Sequence, residues 1–171
     1  MAEYTVVKIS DVPDQAENLG HDPAAYEVRF MRNPLGMEHA GVTFARYSPG
    51  FSIEGHTHNR QEEVYVLVSG RAQALLGENE VVDLEPWTAI RVPPETPRAL
   101  RAVGDEDAIF LKIGAPNTGP GDGRGVPDDM IDLNLIGWNG WRITFPIFDR
   151  DGKIAFFKQA KDPEDKNDGP K

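Results

Sequence analysis

The chain contains no cysteine, which excludes disulfides and thiolate metal ligands and agrees with a reducing, cytoplasmic setting. Any metal must be held by His, Asp or Glu. No apolar run approaches the ~18 residues of a membrane span. The N-terminus, MAEYTVVKISDVPDQ, carries an early acid and nothing of signal-peptide character. A soluble protein without a membrane partner is expected. Cations are scarce: 18 Lys and Arg stand against 28 Asp and Glu, for a net charge of −10. Such a chain repels phosphate backbones and anionic surfaces, so nucleic acid is not an expected partner.

Turn formers, in contrast, are abundant. Seventeen glycines and 14 prolines leave no room for a long central helix. The apolar runs between them are short: EYTVVKI (3–9), AYEVRFM (25–31), GVTFARY (41–47), EVYVLV (63–68), AQALL (72–76), TAIRV (88–92), RALRAV (98–103) and AIFLKI (108–113). Short β-branched runs between turn signals predict an all-β antiparallel sandwich or barrel. At 171 residues the chain suits one such domain with an appendage.

The barrel domain is placed at 1–113. Residues 114–129, GAPNTGPGDGRGVPDD, read as a linker or a loop wrapping the surface. An aromatic-rich extension follows at 130–160, with a β-hairpin turning at Asp151-Gly152, and a polar tail fills 161–171. Trp138, Trp141, Phe145, Phe148, Phe156 and Phe157 are too much aromatic area to leave in water. The extension is expected to pack on the barrel or across a two-fold homodimer. DRDGK (149–153) hints at a calcium loop, but Ala160 stands where such a loop ends in glutamate.

The chemistry concentrates in GFSIEGHTHNRQEEVYVLVSG, residues 50–70. On a strand, His56 and His58 project from one face, ~6–7 Å apart at the backbone, within reach of one metal ion. Asn59, Arg60 and Gln61 form a polar turn, and EEVYVLV reads as the next strand returning alongside the first. A carboxylate at its start would face the histidines. Glu62 and Glu63 point to opposite faces, and alternation alone does not choose between them.

The stretch resembles the first motif of the cupin superfamily: glycine, five residues, His-x-His, three or four residues, glutamate, six residues, glycine. Gly50, His56, His58, Glu63 and Gly70 meet every spacing, and that register selects Glu63. The strand pattern over 41–113 is also similar to a cupin barrel, an antiparallel jelly roll. The resemblance implies His56, His58 and Glu63 as ligands to a divalent metal, with Fe, Mn, Ni, Zn or Cu the usual ions.

The second motif departs from the family. A cupin continues with Pro-x-Gly, then a fourth-ligand histidine, then an asparagine. Here Pro86 is followed by Trp87-Thr88, Arg98 holds the histidine position and Ala102 the asparagine position. A guanidinium stays protonated and cannot ligate a metal. Two outcomes follow. His56, His58 and Glu63 can serve as a two-histidine, one-carboxylate site with open positions, in a protein that binds or transforms a small molecule by dioxygenase or isomerase/lyase chemistry. Alternatively, Arg98 pairs with Glu63 or binds an anionic ligand in a non-catalytic binding or sensing pocket. Arg98 is the substrate-binding candidate. Tyr47, Tyr65, Gln73 and Trp87 are candidate pocket or packing residues, and His21 and His39 are expected to be structural or exposed.

Overall fold

A computed structural model describes residues 4–77, 80–116, 122–125, 144–148 and 154–159, the last two segments by backbone alone. Ten strands build two five-stranded sheets. One sheet has the order β1 (Tyr26–Phe30), β2 (Gly41–Tyr47), β9 (Ala108–Ala115), β4 (Glu62–Ser69), β7 (Ala89–Val92). The other runs β10 (Gly123–Gly125), β3 (Ser52–His58), β8 (Arg98–Val103), β5 (Arg71–Leu76), β6 (Glu80–Leu84). Every pairing is antiparallel. From β2 to β10 the chain changes sheet at each connection except the β5–β6 hairpin, which makes this a jelly roll.

The predicted runs form strands where alternation gives them a face to bury. β2 and β8 span GVTFARY and RALRAV without a shift. Inward positions of both sheets make one core that includes Val28, Ala45, Leu67, Ala74, Leu84, Val92, Leu100 and Phe110. Tyr26, Tyr47 and Phe51 add mutual ring contacts with centroids 5.0–5.3 Å apart. His21 packs edge-on against Tyr26 and Phe51. Its imidazole pKa is lowered by burial, with the Lys112 charge adding to the effect.

Several expectations are corrected. The run from Glu3 is no strand over its described residues 4–8, and Ile9–Asp11 is a 3-10 turn. Tyr4 and Val6 are exposed, so its apolar residues find no face to cover. β4 does not lie alongside β3: it pairs with β7 and β9, whereas β3 pairs with β8 and β10. Gly123–Gly125, within the stretch read as a linker, is an edge strand on β3. Gln73 lies on the outer face, bonded to Asp83 and Arg101. Trp87 is 77% exposed, at a left-handed φ of 67° in the turn after Pro86.

Thr144–Phe148 (β11) and Ile154–Gln159 (β12) pair antiparallel as the predicted hairpin; its turn, and the packing of the extension, lie outside the described residues. Among those residues no helix is long and apolar enough to cross a membrane.

Gly70 ties β4 to β5 at φ 76°, and a Cβ there would stand closer than 3.0 Å to the Asp107 carbonyl and to Ala108 Cα. Gly104 also has positive φ but open space around it. Gly70→Ala should therefore cost about 2 kcal/mol or more and Gly104→Ala about 1 kcal/mol. Urea unfolding of the two variants measures the difference, and equal costs would refute the close approach.

Candidate metal centre

The turn at Asn59–Gln61 carries the chain from one sheet to the other. The histidines of β3 and the glutamate of β4 consequently face each other across the barrel interior instead of along one ladder. β3 bulges between Ile53 and His56, after which His56 and His58 turn toward Glu63. On β4 the alternation places Glu63, Tyr65 and Leu67 inward and Glu62 outward, where Glu62 meets Arg91 at 2.5 Å on the exposed face. One side chain from each of His56, His58 and Glu63 offers a ligand atom, all within 4.8 Å of one another.

Four side chains converge on a single oxygen, Glu63 Oε2. His58 Nε2 lies at 3.3 Å and His56 Nε2 at 3.6 Å. Arg98 reaches it with Nη2 at 2.9 Å and Nε at 3.2 Å, and the Tyr65 hydroxyl donates a short bond to it. Arg98 is fully buried and also donates from Nη1 to the Thr96 carbonyl at 2.9 Å. The sequence position of the missing fourth ligand thus lies inside the barrel, opposite His56 in the β3–β8 register.

Burial raises the Glu63 carboxyl, but hydrogen bonds from both histidines and their charges outweigh it and hold the group far below the usual carboxylate range. His56 is lowered, chiefly by desolvation against the pull of Glu63, which favours the neutral imidazole a metal requires. Tyr65 is raised well above its ordinary value by burial and then by the Glu63 charge. It therefore remains a donor.

Sequence reasoning missed Asp122. It is buried, and its Oδ2 lies 3.2 Å from His58 Nδ1 while accepting from the backbone N–H of Gln61 at 3.0 Å and of Arg60 at 3.4 Å. Its carbonyl accepts from Asn59 N–H and Nδ2. The one signal was an acid in a Gly-rich stretch, PGDGRG, which looks like any surface loop.

The donor set fits a divalent ion. Two donors each about 2.1 Å from one ion, at about the tetrahedral angle, stand about 3.4 Å apart, and the His–Glu separations of 3.3 and 3.6 Å bracket that value. An ion between His58 Nε2 and Glu63 Oε2 would leave the ring proton on Nδ1, where Asp122 Oδ2 can accept it; without an ion Nε2–H can donate to Glu63 instead.

Fully buried Arg98 is paired with Glu63, whose side chain is 13% exposed, so deleting the carboxylate strands the guanidinium. In metal-free protein, Glu63→Ala should cost about 3 kcal/mol or more, since it leaves a fully buried guanidinium unpaired. Arg98→Met should cost less, because His56, His58 and Tyr65 still hold the carboxylate. A depressed carboxyl pKa contributes stability above its ordinary value of 4.5 that is lost as pH falls below it; the gap between wild type and Glu63→Ala should narrow in acid. Urea unfolding with chelator at pH 7 and pH 3.5 tests both expectations, and a constant gap would contradict them.

Comparison with known proteins agrees with this architecture. Residues 43–114 match the cupin domain family. The chain is similar to the glucose-6-phosphate isomerase of Pyrococcus abyssi, 36% identical over 129 residues, which cover 66% of this chain and 68% of that protein. It is also similar to the glucose-6-phosphate isomerase of Pyrococcus horikoshii, 31% identical over 54% of this chain and 55% of that protein, so it spans about half that relative's length. A solved protein of Klebsiella pneumoniae with a double-stranded β-helix domain superposes with a TM-score of 0.58 at 17% identity, over 73% of this chain and 99% of the other. Family match, relatives and jelly-roll topology agree: the chain belongs to the cupin superfamily.

Proposed function

We propose that this cupin holds a divalent metal on His56, His58 and Glu63 and uses it to isomerise a small carbonyl compound bound between the sheets. The observation that carries the reading is the convergence of two imidazole nitrogens on Glu63 Oε2 at 3.3–3.6 Å. Similarity to glucose-6-phosphate isomerases over two thirds of one relative supports isomerase chemistry over the dioxygenase alternative, and a phosphorylated sugar as substrate class. A metal held there would act as a Lewis acid on a carbonyl or hydroxyl oxygen. The chain's own residues do the rest. Tyr65 stays protonated and donates, and Arg98 fixes Glu63 in one orientation. Three N–H groups of Arg98 are engaged by Glu63, Tyr65 and Thr96; in this reading the other two of its five bind an anionic group of the substrate.

A second reading draws on Arg98 itself. Its guanidinium occupies the carboxylate oxygen a metal would use, which favours a metal-poor pocket that binds an anionic small molecule without turnover. In either case the ligand is a small molecule, and the protein is proposed to work as a cytoplasmic homodimer.

Metal content separates the two readings. Protein purified without a chelating tag and incubated with Fe, Mn, Ni or Zn should hold close to one ion per chain, and His56→Ala should lose it. Wild type that takes up none of these ions would overturn the metal reading. Arg98→His, which adds a ligand and removes a cation, should tighten metal binding by about tenfold or more; unchanged affinity would argue against any competition between guanidinium and metal. Metal-loaded wild type should interconvert glucose 6-phosphate and its ketose isomer, with loss of that activity in His56→Ala. A loaded protein that leaves this sugar unchanged would remove the substrate assignment and leave the metal site standing.

A further inference from the structure

We infer that Asp122 is a positioning residue for the metal centre, and that the strand it begins, β10, docks on the barrel in concert with metal binding. The inference rests on the metal reading above. Asp122 lies on the far side of the His58 ring from Glu63: Nδ1 faces Asp122 Oδ2 at 3.2 Å and Nε2 faces Glu63 Oε2 at 3.3 Å. Asp122 therefore cannot share an ion with His56, His58 and Glu63. It acts on the ion through the ring.

Three consequences follow from elementary chemistry. A carboxylate at Nδ1 holds the proton on that nitrogen, which leaves Nε2 as the lone-pair donor and fixes the plane of the imidazole. Its negative charge also makes the ring a stronger base and a better ligand. A group that locks tautomer, orientation and basicity together affects metal affinity far more than it affects the fold.

The same residue anchors the chain around it. Asp122 accepts from Arg60 and Gln61 N–H through its side chain and from Asn59 through its carbonyl. It thereby clamps the turn that carries the chain from β3 to β4. The next three residues pair with the ligand strand itself: Gly123 with His58, Arg124 with Thr57, Gly125 with His56. Gly123 lies against the His58 ring, where an added Cβ would meet Cε1 at 3.6 Å. Among the described residues, the strand pairing and the hydrogen bonds of 122–125 named above all run to the ligand strand or to the turn beside it. An ion that fixes the histidines must favour docked β10, and docked β10 must favour the ion by the same free energy.

The test uses the full chain, Zn²⁺ as probe, and Asp122→Asn. The amide oxygen can still accept from the Gln61 and Arg60 N–H groups, but the charge at Nδ1 is gone. Zn²⁺ affinity, measured by competition with a chromophoric chelator, should fall by about tenfold to a hundredfold, whereas the unfolding midpoint in chelator changes little. Zn²⁺ should slow amide hydrogen exchange in residues 122–125 of wild type and do so less in Asp122→Asn. Equal Zn²⁺ affinity in the two proteins, or exchange in 122–125 indifferent to Zn²⁺, would overturn the inference. Long-range ¹H–¹⁵N spectra of metal-free protein provide a readout that does not depend on the ion. Asp122 and Glu63 compete there for the His58 proton; the share protonated at Nδ1 should fall in Asp122→Ala, which leaves Nδ1 without that acceptor, and an unchanged share sinks the positioning role. If wild type binds no Zn²⁺, the metal reading fails separately, and the tautomer result alone decides what Asp122 does to His58.

Discussion

A single carboxylate oxygen organises the interior of this protein. Glu63 Oε2 receives Arg98, Tyr65 and both histidines, and no lone partner would suffice. Taking a carboxylate out of water costs several kcal/mol, offset only when donors surround it. Arg98 faces the same problem with the opposite sign, since it is fully buried. The two groups solve it jointly, with the Thr96 carbonyl taking a further guanidinium proton. Away from bulk water each of these interactions is stronger than its surface counterpart. Position, charge state and orientation of Glu63 are consequently set before any ligand arrives.

That arrangement depends on a change of sheet. If β4 ran beside β3, Glu63 would meet the histidines as a ladder neighbour on one surface. Because the chain crosses at Asn59–Gln61 instead, donors from both sheets enclose a point between them. The crossing is itself held by polar bonds: Asp122 takes the Arg60 and Gln61 N–H groups, the Gln61 side chain donates to the Pro116 carbonyl, and Glu95 N–H donates to the His58 carbonyl at 2.7 Å. The ligand geometry and the loops at this end of the barrel are one hydrogen-bonded structure.

These two features mark where reading the sequence succeeded and where it stopped. The histidine pair was legible because strand alternation puts residues two apart on one face, whereas Glu63 was selected over Glu62 only by its resemblance to the cupin motif. β2 and β8 were legible as apolar runs bounded by turn residues. Sheet membership was not, since a three-residue polar turn between two strands looks the same whether the chain folds back or crosses over. β6 was overlooked because EVVDL has little inward apolar surface; only Leu84 on it is buried. The run from Glu3 misled in the opposite sense, with strand-like residues and no sheet edge to receive them. Asp122 lies more than sixty positions from His58 in a glycine-rich stretch, and only the closed barrel brings the two together.

The substitution of arginine for a fourth ligand changes the charge of the centre more than its shape. With Arg98 beside it, Glu63 no longer contributes a net negative charge, and the two imidazoles are neutral as ligands. A divalent ion added to that set, with the Asp122 carboxylate beside His58, leaves about one positive charge uncompensated in the interior, where charge imbalance is costly. An anion supplied by the ligand relieves it. An incoming oxyanion would find the metal and the guanidinium on neighbouring sides of one carboxylate. On the proposed metal reading, Arg98 would weaken the hold on the ion while helping the whole centre to attract an acidic small molecule, so that metal and substrate would each favour the binding of the other.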